Sequence, residues 1–97
     1  MRREEGGRGA ENGEEGEEHI TILAVQGRRK KTIIKDLSSL YDHKLILRFF
    51  KKEFNCNGSV EPDGSIQLTG DHRERARDFF VEEGIAAAEH IKLAGRA

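Results

Sequence analysis

The longest uninterrupted run of like charge in this sequence is RRKK, Arg28 to Lys31. Clustered guanidinium and ammonium groups bind phosphate, because neutralising a polyanion releases its condensed counterions. The apolar segments ITILAV and TII flank the run, so the cations belong to a short connection between two strands. A nuclear-import signal is one alternative for such a run, and an ordinary solvated loop is another. We favour a phosphate-binding tip, since like charges repel and a neutral turn would fold more easily.

A second group of cations has helical spacing. Arg48, Lys51 and Lys52 stand at i, i+3 and i+4, with Lys44 one turn earlier, and this spacing places them on one helix face. Arg73, Arg75 and Arg77 form a third group. For the helix group alone, keeping the surface solvated is a sufficient explanation, but this explanation is weaker for four cations in a row at a turn. Together the groups favour a polyanionic partner.

The sequence offers no catalytic constellation. Four histidines, His19, His43, His72 and His90, are scattered without the spacing of a metal site. The one cysteine, Cys56, has no partner for an internal disulfide and is typical of a structural thiol in a reducing compartment. We therefore predict a protein that is not an enzyme and that has no metal or other cofactor.

The elements that position these groups follow from periodicity. Residues 19–26 form an apolar strand, predicted to be buried on much of both faces, and residues 32–37 form a second. Gly27 supplies the permissive backbone of the turn between them. A helix then begins at the N-cap Asp42 and ends at Asn57-Gly58.

Leu45 and Phe49 lie between the apolar stripe and the cationic face of this helix. They either broaden the core or form a contact for another protein.

The rest of the chain repeats the pattern. Pro62-Asp63-Gly64 predicts the turn of a second hairpin. Asp71 and Glu74 predict a capping box for a second helix that stops at Gly84, and residues 90–95 form a last strand. The order ββαββαβ indicates an α+β fold, a two-layer sandwich of a mixed, mostly antiparallel sheet with two helices on one face.

Charge divides the chain into two regions. Residues 1–18 hold three Arg against seven Glu, a charge of −4, whereas residues 19–97 carry 14 basic and 11 acidic residues, a charge of +3. The first region, with hardly any apolar residue, is predicted to be a disordered, solubilising tail, with masking of the basic surface as the alternative. Residues 19–97 form the domain. No segment is apolar enough for a membrane span or a signal peptide, so we predict a cytoplasmic protein.

Three segments, YDHKLILRFFKKEFNCNGSV, SIQLTGDHRERARDFF and IKLAG, resemble eukaryotic translation initiation factor 1, the Sui-domain family. The resemblance covers roughly residues 19–95. It implies a monomer that binds rRNA of the small ribosomal subunit near the P site, close to mRNA, initiator tRNA and other initiation factors. It also implies a role in scanning and start-codon fidelity.

The resemblance further implies which residues contact RNA. The family's basic first-hairpin loop corresponds to Gln26, Gly27, Arg28 and Arg29, extended by Lys30 and Lys31. Its cationic helix motif corresponds to Lys51 and Lys52, and we add Arg48 from the same face. The family's G-D-x-R corresponds to Gly70, Asp71 and Arg73; we assign Arg73 to RNA and the first two to structure.

Two departures leave alternatives open. The turn at residues 61–65 is shorter than in eukaryotic members, which puts its part in sensing initiator tRNA in doubt. Leu45 and Phe49 stand where animal members have Lys and Ala, which would make a hydrophobic contact for another factor. The alternatives are a protein–protein adaptor without RNA contact and a bacterial or archaeal type of general RNA-binding relative.

Overall fold

The computed structural model describes residues 18–95, which form one five-stranded sheet and two helices. The elements, in chain order, are β1 (Ile20–Gln26), β2 (Lys30–Lys35), α1 (His43–Glu53), β3 (Gly58–Val60), β4 (Ile66–Thr69), α2 (Arg73–Glu82), a 3-10 helix (Ala88–His90) and β5 (Ile91–Gly95). The strands lie in the order β3-β4-β2-β1-β5, and only the β1–β5 pair of this sheet is parallel. The predicted α+β fold class and element order are confirmed.

The core lies between the helices and one face of the sheet. Alternate residues of β1 and β2, among them Ile22 and Ile34, are buried there. Phe50 of α1 and Phe80 of α2 are fully buried and meet edge to face, with ring centroids 5.9 Å apart. Replacing such a core Phe by Ala costs about 3–5 kcal/mol, so these two rings hold both helices on the sheet.

Strand β1 is covered on one face, which corrects the prediction of burial on both. Ile20, Ile22 and Ala24 are buried under the helices, whereas Leu23 is half-buried and Val25 is exposed. Both helices pack on the same side of the sheet, so the other face has no covering layer in residues 18–95.

Helix α1 begins as predicted and ends earlier. The side chain of Asp42 accepts a hydrogen bond from the backbone N–H of Leu45 at 3.1 Å. The last helical residue is Glu53, and Asn55 adopts φ 54°. Asparagine tolerates this left-handed conformation, so Asn55 ends the helix. The predicted exit at Asn57-Gly58 is wrong, since Gly58 already begins β3.

The start of α2 differs from the predicted capping box. The N-cap is His72, without a side-chain cap hydrogen bond. The Asp71 carboxylate accepts from the backbone N–H of Arg73 at 3.3 Å and from its guanidinium, whereas a capping box requires the backbone N–H of Glu74 as the donor. The stop at Gly84, φ 72°, is confirmed.

The predicted acidic tail, residues 1–18, lies outside the described residues except for Glu18. The side chain of Glu18 accepts a hydrogen bond from the backbone N–H of Ser38 at 3.3 Å. Within residues 18–95, neither helix has the length and hydropathy needed to cross a membrane.

Candidate nucleic-acid interface

The four-cation run straddles a turn and a strand. Gly27, Arg28 and Arg29 connect β1 to β2, and Lys30 and Lys31 are the first residues of β2, opposite Gln26 and Val25. All five residues of this segment are exposed. No hydrogen-bond or ion-pair partner from residues 18–95 reaches the four cationic side chains. The tip therefore presents positive charge to solvent without an ion pair. Of its cations, Lys30 lies near Asp71, since its charge adds to the effect of the Arg73 hydrogen bond in lowering the pKa of that carboxyl.

Gly27 is not required for the shape of this turn. It is absent from the positive-φ residues of the described chain, and a Cβ built on it would meet no atom within 4 Å. The backbone argument made for Gly27 is therefore wrong. The open space around Gly27 allows a binding partner to approach the backbone closely.

Helix α1 carries its cations on the side away from the core. Lys44, Arg48, Lys51 and Lys52 are exposed, whereas Ile46 and Phe50 of the same helix are buried. Lys51 and Lys52 lie in the last turn, where the carbonyl end of the helix dipole stabilises positive charge.

One segment, residues 69–72, brings the hairpin tip and the end of α1 together. The Lys30 carbonyl accepts a hydrogen bond from the Gly70 N–H at 2.8 Å. The His72 ring stacks on Phe54, just after α1, with centroids 5.3 Å apart. Lys51 and Lys52 are thus at the same end of the molecule as the hairpin tip. Lys44 is at the other end, where His43 contacts the Gly64 carbonyl.

The structure adds Arg75 to this end, a residue that sequence reasoning grouped with the basic residues of α2 and did not select. Its guanidinium carbon lies 4.5 Å from the centroid of the Phe54 ring, and its Nη2 donates to the Glu53 carbonyl at 3.2 Å. No carboxylate of residues 18–95 pairs with it. We define the basic end as the tip cations together with Lys51, Lys52 and Arg75.

Arg73 has a structural task. Its Nε and Nη2 donate to the two oxygens of Asp71 at 3.0 and 2.9 Å, and its Nη1 donates to the Ala94 carbonyl in β5. Hydrogen bonding to Arg73 lowers the pKa of Asp71, and the same pair raises the pKa of Arg73. Much of its charge is therefore compensated, and the predicted RNA contact of Arg73 stays a prediction.

Leu45 and Phe49 lie at the surface rather than in a broadened core. They are 48% and 42% exposed. The Phe49 ring packs on Phe79 of α2 with centroids 4.9 Å apart. The pair therefore forms an apolar spot on the flank of α1 that faces α2, and its use by a partner stays a prediction.

Groups with catalytic or metal-binding potential do not converge. No set of three His, Cys, Asp or Glu side chains in residues 18–95 is placed to hold a metal ion. Burial raises the pKa of Cys56, and the nearby Arg75 and Lys51 lower it less. A raised pKa disfavours the thiolate, which is the nucleophilic form of cysteine.

The sequence is similar to a family of known proteins. Residues 15–86 match the family model of translation initiation factor SUI1. A protein translation factor SUI1 homolog from Oryza sativa subsp. indica is 38% identical over 94 residues, which cover 93% of this chain and 82% of the rice protein. Eukaryotic translation initiation factor 1 from Homo sapiens is 38% identical over 81 residues, covering 79% of this chain and 72% of the human protein.

A solved structure shares the fold. The C-terminal domain of human eIF2D superposes with a TM-score of 0.67 at 20% sequence identity, over 75% of this chain and 41% of that chain. At this identity the likeness concerns the fold alone.

Proposed function

The chain belongs to the translation initiation factor SUI1 family, and we propose that it binds the small ribosomal subunit through rRNA phosphates at its basic end. The observation that carries the proposal is the charge of Arg28 and Arg29, which have no ion-pair partner in residues 18–95 and lie at the same end of the molecule as Lys51 and Lys52. Its named relatives are translation initiation factors, and this chain acts in translation initiation and protein biosynthesis.

The proposed action is binding, without a catalysed reaction. Contacts to phosphate position a protein on RNA but carry no sequence information. Sequence readout of single-stranded RNA commonly uses stacking aromatic side chains, and the basic end has no exposed aromatic ring in the described chain. The partner is therefore a folded rRNA backbone recognised by shape and charge.

The proposed place of binding is the neighbourhood of the P site, close to mRNA and initiator tRNA. A compact cationic domain there opposes full accommodation of initiator tRNA by steric exclusion. The factor thereby supports scanning and start-codon fidelity, and its release permits the closed state. The family resemblance of the hairpin tip supports this placement.

Partners and location follow from the same proposal. The protein acts in the cytoplasm as a monomer outside the ribosome, alongside other initiation factors. Leu45 and Phe49 supply a contact for one of those factors, supported by their exposure beside the cations of α1.

The test is charge reversal at the tip, Arg28→Glu with Arg29→Glu, in the full chain. If the basic end neutralises about four phosphates, log affinity for the small subunit falls with log salt at a slope of about −3, or about eightfold per doubling of salt. The double variant should roughly halve that slope. It should also raise initiation at near-cognate codons in a translation system depleted of its own factor.

Lys35→Glu with Lys92→Glu provides a matched control. Both lysines are exposed and flank Thr21 at the end of the sheet away from the tip. This variant changes the net charge equally and should keep the affinity and the salt slope. Equal losses in the two variants, or an unchanged slope at the tip, would overturn the RNA contact. Absence of crosslinks from the tip to small-subunit rRNA would favour an adaptor that binds proteins alone.

A further inference from the structure

The open face of the sheet combines apolar side chains with lysines, and the proposed RNA contacts do not use it, apart from Lys31. Side chains alternate between the two faces of a strand. Because Ile22 and Ile34 face the helices, Leu23 and Ile33, which are register partners, face the other way. On either side along the strands, Val25 pairs with Lys31, and Thr21 pairs with Lys35 and Lys92.

The sequence of β1 is that of a strand covered on both faces. Near-continuous apolar runs are typical of strands buried on both sides, whereas strands with one solvated face alternate apolar and polar residues. Leu23 and Val25 break the alternation expected for the solvated face, and Val25 is 38% exposed. The apolar row therefore matches a layer that residues 18–95 do not supply.

At the register positions of this face, the charged residues are all lysines. Lys31, Lys35 and Lys92 are exposed, and no register position on the open face in the described strands is acidic. Carboxylates lie close to two of these lysines. Asp36 accepts from the Thr21 hydroxyl at 3.1 Å, and Glu89 lines the same cavity as Thr21 and Lys92. Hydrogen bonds from Ser65, and then the charge of Lys35, lower the pKa of Asp63, and Glu61 accepts from Ser59. The complementary surface is apolar along its middle and acidic along its sides.

We propose that the open face docks an acidic amphipathic helix of a partner protein. Its apolar stripe would cover Leu23, Ile33 and Val25, and its carboxylates would meet Lys31, Lys35 and Lys92. The strands beneath are already paired, so the face offers side chains rather than free backbone groups, which fits a helix better than an added strand. The complex is a three-layer arrangement with helices on both sides of the sheet.

Two other occupants fit less well. RNA would meet the lysines, but the open face of the described strands has no aromatic side chain on which a base could stack. The acidic residues 1–17 of this chain include only Met1 and Ala10 as apolar side chains, so they match the lysines and not the apolar row.

The experiment uses the full chain and a synthetic helical peptide with leucines at i, i+3, i+4 and i+7 and glutamates elsewhere. Binding is measured by calorimetry and mapped by amide chemical shifts. Shifts should concentrate in β1 and β2 around Leu23 and Ile33. Lys35→Glu with Lys92→Glu should weaken binding about tenfold, since each reversal replaces an attraction with a repulsion.

The controls separate this site from its rivals. Lys44→Glu on the helix layer and Arg28→Glu with Arg29→Glu at the tip should leave peptide affinity within about twofold. Ile33→Thr keeps a β-branched side chain and should weaken the peptide while the chain stays folded by circular dichroism.

Four results would overturn the proposal. They are no binding, equal binding of a scrambled peptide of the same composition, shifts that map to α1 and α2, and concentration-dependent self-association through the open face. An RNA oligonucleotide that shifts the same amides and displaces the peptide would assign the face to RNA. The variant Arg28→Glu with Arg29→Glu tests the proposed rRNA contact separately from the open face. Either the rRNA proposal or the helix-docking proposal can therefore fail while the other stands.

Discussion

Arginine residues of this chain with the same formal charge have different tasks because their neighbours differ. Arg28 and Arg29 have no partner among residues 18–95, whereas Arg73 is held by Asp71 and the Ala94 carbonyl. A guanidinium that already makes a bidentate ion pair gains less from a phosphate than a solvated one does. The ion-pair partner Asp71 is two residues from Arg73, whereas the Ala94 carbonyl in β5 is 21 positions away and meets Arg73 only in the folded chain.

At the residue scale, replacing Leu45 by Lys and Phe49 by Ala should weaken binding of a partner initiation factor with little loss of stability. Both side chains are nearly half exposed, and the lost aromatic contacts are those of Phe49 with Phe79, at 4.9 Å between ring centroids, and with Phe50, at 6.1 Å. The free energy of unfolding should fall by about 1 kcal/mol or less, as measured by urea denaturation.

Phe50→Ala is the control for that measurement. Phe50 is fully buried, so its loss should cost about 3–5 kcal/mol. A comparable cost for the Leu45 and Phe49 changes would show that these two side chains belong to the core.

At the element scale, one buried hydroxyl joins β2 to the start of α2. Thr32 Oγ1 donates to the Gly70 carbonyl at 2.6 Å and accepts from the His72 N–H at 2.8 Å. Gly70 has φ 99°, and a Cβ there would lie 2.8 Å from the His72 ring. Glycine and threonine together therefore form the turn that keeps the basic end assembled.

Thr32→Val should show how much this junction contributes to the stability of the fold. Valine keeps the shape and the strand preference but leaves a carbonyl and an N–H without their partner, at a cost of about 1–3 kcal/mol. The urea midpoint should fall with an unchanged slope. Thr21→Val, whose hydroxyl contacts only the exposed Asp36, should change stability by about 0.5 kcal/mol at most; equal losses would contradict the proposed junction.

The sequence predicts those features of the elements that depend on local chemistry. Asp42 caps α1 and Gly84 ends α2 as predicted, since capping and positive φ are decided within a few residues. The start of α2 was missed because His72 is held by Thr32, forty positions earlier, a contact that no local pattern contains. The same distinction applies to the residues of the site. The tip can be predicted from the strands that flank it, whereas Arg75 meets the end of α1 only in the folded chain.

At the scale of the whole molecule, the two layers separate two kinds of surface. The basic end combines the hairpin tip, the last turn of α1 and the first turn of α2. The open sheet face lies on the side away from both helices. This division would let an rRNA backbone and a partner helix bind together, with Lys31 as the residue nearest to both.

The parallel pairing of β1 with β5 also bears on how the chain reaches this state. Ile20 pairs with Ile91, so closing this ladder must first order a long intervening loop, whereas the β1–β2 hairpin closes locally. The hairpin should therefore be formed in the folding transition state, and β5 should dock after it.

Ile34→Val should then slow refolding, and Ile91→Val should chiefly speed unfolding. Each substitution should lower the free energy of unfolding by about 0.5–1.5 kcal/mol. Stopped-flow circular dichroism over a urea series measures both rates, and equal partition of the two effects would contradict the order. If the hairpin forms before β5 docks, then β5 is the first strand to detach during unfolding. The hydrogen bond from Arg73 to the Ala94 carbonyl is then lost before the basic end unfolds.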